Sequence, residues 1–438
     1  MRAGHGCAHG SVGAAQVKTA YDILVIGAGP AGLAAAHAAA HADPLLSVGI
    51  VDDNPASGGQ IWRGGAQHQQ DERARLLWRE LHAAPNVTLI QQARVLYAPE
   101  AGALQVQTPA AAMKLRYERL ILATGARELL LPFPGWTLPG VTGAGGLQAL
   151  AKGGFPLADK RIVVAGSGPL LLAVAATLVD KGAQVQAIVE QAGNASLARF
   201  ALGLLATPAK IAQALQLKAR LRGIPYLRGS HVASAIGNSN GSAVRAAIVR
   251  TGSREVEIPC DYLACGYGLV PNPELALALG CATSAVSGSI EADAWQQTNV
   301  ANVYVAGEGT GVGGVDKALV EGRIAGLAAA GKFDEAQTHF AERTHWRAFA
   351  TRLARAFALK PAILKLADDN TIVCRCEDVT HGDLRCHTTW RSAKLQTRCG
   401  MGPCQGRICG GATGALYGWR PGAVRVPLSP ARVDSIIF

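Results

Sequence analysis

The stretch "YDILVIGAGPAGLAAAHAAAHA", beginning at Tyr21, constrains the fold of this chain more than any other. Residues 22–26 are a short apolar run of the kind buried in a parallel sheet. Gly27, Gly29 and Gly32 follow in G-x-G-x-x-G spacing, and an alanine-rich helical run begins at once. Gly27 permits the tight turn, Gly29 lets backbone approach a pyrophosphate, and Gly32 lets helix pack on strand. The helix N-terminus offers unpaired N–H groups and partial positive charge to phosphate. About twenty residues on, "VGIVDDN" ends a second apolar run with Asp52 and Asp53, where a carboxylate accepts ribose hydroxyls. A dinucleotide-binding strand–turn–helix–strand is therefore expected here.

The pattern occurs twice. "DKRIVVAGSGPLLLAVAATLVDKGAQVQAIVE" places Gly166 and Gly168 at the first two glycine positions and Glu190 at the end of the second strand. Leu171 holds the third glycine position, and a leucine there is expected to push helix from strand. The fold is expected, while its ligand stays open between NAD(P), another adenine nucleotide and none. Between the two repeats, "NPASGGQIWRGG" sets Gly58, Gly59 and Gln60 in a loop against a ligand. "LQVQTPAAAMKLRYERLILATGARE" reads as two short strands and a third ending at Ala123, Thr124 and Gly125. "NVYVAGEGTGVGGVDKALVEGRIAG" reads as strand, glycine turn and helix, with Glu308 after Gly307.

"GAGPAG", "ATGA" and "VYVAGE", in that order, make residues 21–330 resemble the two-dinucleotide-domain flavoproteins of the glutathione-reductase-like class. The resemblance implies an α/β fold and FAD at the first site. The residues placed around it are Gly27, Gly29, Gly32, Asp52, Asp53, Gly59, Gln60, Thr124, Gly125, Gly307 and Glu308. In that class the last motif's carboxylate, usually Asp, binds the ribityl chain; Glu308 stands in that place here.

Disulfide-reductase chemistry needs a C-x4-C dithiol. Only Cys260 and Cys265, in "CDYLACGYGLVPN", have that spacing near the nucleotide folds. The segment reads as a strand, the odd offset sets the two on opposite faces, and both are expected to be core thiols. His37 and His41 lie one helical turn apart with no third metal ligand apparent, and His5, Cys7 and His9 lie in a loose N-terminal tail. No G-x-S-x-G elbow, Walker loop or H-E-x-x-H occurs.

The remaining cysteines lie late. "TIVCRCEDVTHGDL" carries Cys374 and Cys376, and "TRCGMGPCQGRICGG" carries Cys399, Cys404 and Cys409. Four thiolates converging from two pairs suit a [2Fe–2S] cluster or zinc. An adjoining flavin favours the redox cluster, since zinc has no electrons to exchange. Gly400, Gly402, Gly406 and Gly410 allow backbone N–H groups to turn toward sulfur. The tail resembles the small helical bacterioferritin-associated-ferredoxin-like (BFD-like) [2Fe–2S] domain, with four residues where that domain has two between the closing cysteines. With "ARELLLPFPGWTLPGV" and "CGYGLVPNPEL", nearly the whole chain resembles the larger flavoprotein subunits of dye-linked amino-acid dehydrogenases. That group includes the alpha subunit of hydroxy-D-proline dehydrogenase, the opine oxidase A subunit and the hydrogen cyanide synthase B subunit.

By that resemblance Cys374, Cys376, Cys404 and Cys409 are the ligands and Cys399 is a spare. It also implies partners: a second FAD-containing oxidase or dehydrogenase subunit, a small ferredoxin-like subunit, and a quinone, dye or oxygen as acceptor. The expected role is electron transfer for a partner that oxidises a C–N bond. A self-sufficient NAD(P)H-dependent reductase and a non-catalytic assembly subunit are the alternatives.

The expected organisation is a tail over 1–20, flavin domain over 21–127 and 255–330, and a second dinucleotide fold over 128–254. A helical connector over 331–370, a cysteine domain over 371–420 and a C-terminal tail over 421–438 complete it. With 49% hydrophobic and 17% charged residues, the chain can bury a large core. Its net charge of +11 comes with no aromatic-interleaved basic stretch, so a nucleic-acid partner is not expected. No apolar run reaches the roughly 18–20 residues of a spanning helix, and the first twenty residues lack a signal peptide's apolar region. A cytoplasmic location, with peripheral contact at the inner membrane as a variant, is expected.

Overall fold

The computed structural model describes residues 18–66, 69, 71–421 and 424–436, so His5, Cys7 and His9 lie outside the described residues. Each glycine fingerprint lies at the end of the central strand of its own sheet, the first sheet mixed and the second parallel. The first sheet runs Val87–Ile90, Val48–Val51, Ala20–Ile26, Ala112–Leu122, Ala103–Gln107 and Arg94–Tyr97, with Val303–Val305 joining Ala112–Leu122. Ile26 pairs with Val51 on one side and Leu122 on the other, which brings Asp52 and Ala123 beside Gly27. Where two short strands and a third ending at Ala123, Thr124 and Gly125 are expected, the structure has two strands, and the second, Ala112–Leu122, is continuous: its start pairs antiparallel with Ala103–Gln107 and its end parallel with Ala20–Ile26.

The first helix, Pro30–Ala42, is buried on nearly every face because a second helix, Val315–Ala329, lies against it. That approach needs small residues. A Cβ on Gly322 would stand 2.2 Å from the Ala31 carbonyl oxygen, and one on Gly326 would stand 2.1 Å from that of Ala35. Strand and helix meet as closely at the fingerprint, where a Cβ on Gly32 would stand 1.8 Å from the Gly27 oxygen. Ile23, Leu24 and Val25 are fully buried beneath, each worth roughly 1.5–3 kcal/mol of burial.

The second sheet runs Tyr226–Arg228, Gln184–Glu190, Arg161–Gly166, Tyr262–Gly266 and Val141–Gly143, with an antiparallel sheet of Ser230–Gly237, Val244–Thr251 and Arg254–Pro259 beside it. The boundary expected at residue 255 is thereby corrected. Arg254–Pro259 and Tyr262–Gly266 belong to the second fold, and the chain crosses back at Leu269–Pro271, paired with Ala126–Glu128. A five-residue apolar strand is buried in either sheet and carries no mark of which one it joins.

The connector forms helices Phe333–Gln337 and Phe340–Ala356. The cysteine domain is a hairpin of Ile372–Cys374 and Val379–Thr380 followed by three short helices. The last segment is docked. Leu428 is buried in the flavin-fold core, its N–H donates to the Leu96 carbonyl, and Arg432 N–H donates to Gln107.

Candidate flavin site and cysteine centre

The first glycine loop presents an open cradle. Gly27 has φ of +103°, and a Cβ there would stand 2.3 Å from the Ala123 oxygen, so only glycine fits. A Cβ on Gly29 would meet only the Gly59 Cα, at 3.8 Å. Gly29 caps the first helix without any side-chain hydrogen bond, leaving its first-turn N–H groups for an anion. Gly58 must be glycine for packing, because its Cβ would stand 1.9 Å from the Trp62 oxygen. Gly125, at φ +69°, has nothing within 4 Å of its Cβ position. Thr124 is held by Asn272 across the domain crossing, through bonds of 2.8 and 2.9 Å. Gln60 is exposed at the mouth and accepts from Arg63. These residues fit FAD: the glycines leave room and the helix end supplies charge.

The two aspartates divide their work. Asp52 is buried and spends its oxygens on the Ala28 N–H at 2.6 Å and the Asn54 N–H at 2.8 Å. It clamps the loop and is not presented to a ribose. Asp53 is exposed, its carboxyl pushed up by partial desolvation and the neighbouring Asp52 charge. It is the carboxylate of the pair that faces outward.

Glu308 also departs from expectation. Its oxygens accept from the Gly313 and Gly314 N–H groups, both at 2.9 Å, which turns the carboxylate to the start of helix Val315–Ala329 instead of leaving it free. Burial pushes its pKa up. The same loop is pinned by Lys317, which donates to the Gly307 and Gly311 carbonyls and pairs with Glu321 at 2.8 Å. Both side chains are nearly solvent-free, and Arg347 braces Glu321 from the connector at 2.9 Å. Lys317→Met leaves Glu321 with Arg347 as its charged partner, beside the Thr310 hydroxyl and Gly307 N–H that also donate to it, and is expected to cost about 3 kcal/mol in denaturant unfolding of the flavin-loaded chain. A loss under about 1 kcal/mol would mean that Arg347 alone neutralises Glu321.

The second glycine loop differs from the first. Gly166 is required by packing, since its Cβ would stand 1.9 Å from the Gly266 oxygen. Leu171 does not force the helix away. It is fully buried, and Gly266 on the adjacent strand makes room, a Cβ there lying 3.5 Å from the Leu171 side chain. Glu190 is fully buried, with oxygens accepting from Gly168 N–H at 2.8 Å and Ala192 N–H at 2.7 Å. The expectation that Glu190 receives a ribose is corrected: its carboxylate is enclosed and already satisfied.

Late in the chain, Cys374, Cys376, Cys404 and Cys409 line one cavity of about 140 Å³, together with Leu130, Arg375 and Ile408. The sulfurs of Cys376 and Cys404 are 3.7 Å apart, and those of Cys374, Cys399 and Cys409 lie within 4.8 Å of one another. The Cys374 thiol is pushed down to about 2 by hydrogen bonds from Cys399 and Cys409, helped by the N–H groups of Gly400 and Glu377. Gly402 acts sterically, since its Cβ would stand 2.2 Å from that of Cys376. The donor set suits a thiophilic metal centre. Arg127 ties this domain to the flavin fold, donating to the Arg407 carbonyl at 2.8 Å and pairing with Glu274 at 2.8 Å. Trp136 Nε1 donates to the Ile372 carbonyl at 2.6 Å.

Cys260 and Cys265 are buried in one core cluster, not on opposite faces, because Cys260 precedes the strand that holds Cys265. Burial pushes the Cys260 thiol up to about 12 and Cys265 also upward. Iodoacetamide on the native chain at neutral pH is expected to label exposed Cys386 and spare Cys260, Cys265 and Cys281, as read by peptide mass spectrometry. Rapid labelling of Cys260 and Cys265 together would reopen a dithiol. The His37 and His41 rings stack at 4.1 Å, and His37 meets Glu80 of the next helix at 2.5 Å, a partner the sequence spacing does not reveal.

The two glycine-turn folds, the crossing strands between them and the cradle at Gly29 define a flavin-binding oxidoreductase architecture. The chain belongs to the pyridine nucleotide-disulphide oxidoreductase family, which it matches over residues 21–332. It is 33% identical to the opine oxidase A subunit of Rhizobium meliloti, over 89% of this chain and 90% of that one. It is 31% identical to hydrogen cyanide synthase subunit HcnB of Pseudomonas aeruginosa, over 93% of this chain and 96% of that one. Among solved structures, L-proline dehydrogenase from P. horikoshii superposes with a TM-score of 0.68 at 18% identity, covering 96% of this chain and 80% of that one. The protein is an oxidoreductase, and no helix among its described residues is long and apolar enough to cross a membrane.

Proposed function

We propose that this chain is the electron-relay flavoprotein subunit of a multi-subunit dehydrogenase acting on an amino-acid or opine-type C–N bond, with that bond oxidised in a partner flavoprotein. The carrying observation is the four-thiol cavity, set in a domain bound to the flavin fold through Arg127 and to the second fold through Trp136. The relatives named as subunits of opine oxidase and hydrogen cyanide synthase support the same reading. Gly27, Gly29, Gly32, Asp53, Gly59, Thr124, Gly125 and Gly307 would hold FAD, and Cys374, Cys376, Cys404 and Cys409 a [2Fe–2S] cluster. FAD accepts electrons in pairs and releases them singly, which suits a one-electron cluster beside it. The chain's own part is to hold both groups on one polypeptide and to keep dithiol chemistry away, its Cys260 and Cys265 being buried and protonated. A small ferredoxin-like subunit and a quinone, dye or oxygen complete the proposed route, at a cytoplasmic location.

The test is an anaerobic visible titration of the chain purified with and without its partner subunits. Bleaching of flavin and cluster bands by hydroxyproline, an opine or glycine is expected only with the partner present. Full-rate substrate oxidation by the chain alone would overturn the relay.

A further inference from the structure

The family to which the chain belongs is named for pyridine nucleotides, and its second dinucleotide fold is where one would be sought. The residues here do not fit one. We infer that the second site is a socket for the chain's own connector, residues Phe357–Lys360, and takes no nicotinamide or other adenine nucleotide. At the first loop, the neighbour of Gly29 is the bare Cα of Gly59. At the second, the neighbour of Gly168 is the side chain of Phe357, with Cγ 3.8 Å and Cβ 4.0 Å from the Cβ position. A phenylalanine thus lies where backbone must be left bare for a pyrophosphate.

The contact is built from polar groups as well as a ring. Ser167, inside the glycine loop, donates its hydroxyl to the Phe357 carbonyl at 2.9 Å. Gln191 is 1% exposed and donates to Ser167 Oγ at 2.8 Å and to the Ala358 carbonyl at 2.9 Å. Its own carbonyl accepts from the Lys360 N–H at 3.2 Å. Phe200, on helix Asn194–Gly203 just after the second strand, closes the far side against Phe357, ring centroids 5.1 Å apart. The two halves of the molecule diverge at matching positions. Asp52 and Glu190 are both spent on their loops, but Asp53 next to the first is exposed, whereas Gln191 next to the second is buried and grips the connector. The connector leads directly to the cysteine domain, so the socket anchors that domain to the second fold.

Two measurements on the flavin-loaded full chain test this. In calorimetric titration with NADH, NADPH and AMP, no saturable binding is expected up to millimolar ligand; saturable binding of any of them to the wild type would overturn the inference. In hydrogen exchange, Gln191→Ala removes the groups that hold Ala358 and Lys360. Exchange at Lys360 is expected to rise about tenfold with flavin content unchanged, as for one or more lost hydrogen bonds. Exchange at Lys360 that is already fast in the wild type and unmoved by Gln191→Ala would overturn the socket. The relay reading fails on a different result, substrate oxidation without a partner, so the two ideas fall separately.

Discussion

A Gly322→Val chain is expected to purify without flavin and to unfold on the order of 10 °C below the wild type, a loss of about 3 kcal/mol or more. The first added carbon already stands 2.2 Å from the Ala31 carbonyl oxygen and 3.1 Å from the Ala34 Cβ. Neither neighbour can yield alone, because one is helix backbone and the other is its buried face. Relief requires the helix Val315–Ala329 to move off Pro30–Ala42 as a body. That movement disturbs both ends of the flavin site. Gly29 caps the first helix, and Gly314, fastened to Glu308, caps the other. Flavin absorbance per chain and the thermal midpoint read the two effects separately. Wild-type flavin content in Gly322→Val would show that the helices part without dragging the loops with them.

The flavin fold is legible in the sequence because its glycines are dictated by local backbone needs. Gly27 and Gly32 each meet a carbonyl oxygen at the turn or at the strand beside it, so spacing alone marks them. Legibility fails where the deciding partner is distant in sequence. Leu171 reads as damage, yet Gly266, nearly a hundred residues away, absorbs its bulk. Asp52 and Asp53 are chemically identical neighbours, and only burial separates the clamp from the exposed carboxylate. Glu190 matches the expected position of a ribose acceptor, but it is fully buried, and Gln191 beside it is bonded to the connector 167 residues away. The cysteine centre lies between these cases. Spacing and family likeness pick out its four lining cysteines, whereas neither reveals the position of Cys399 behind them.

That position makes the thiols unequal, and substitution to serine is expected to rank them. Cys374→Ser should reduce iron and acid-labile sulfide to background and abolish the paramagnetic signal of the dithionite-reduced chain. Cys374 lines the cavity and is also the thiol on which Cys399 and Cys409 both converge, so no other sulfur can cover its place. Cys409→Ser should keep part of its iron with a shifted signal, because Cys399 lies within 4.8 Å of Cys409 and can turn into the vacated position. Cys399→Ser should retain full iron and an unchanged signal, since Cys399 is fully buried and does not line the cavity. The flavin content of all three should match the wild type, because the flavin cradle is built from residues before Phe333. If Cys399→Ser lost iron while Cys409→Ser kept it, the ligand set would be Cys374, Cys376, Cys399 and Cys404. Cys399 would then take the place beside Cys374 assigned here to Cys409, and Cys409 would line the cavity without ligating.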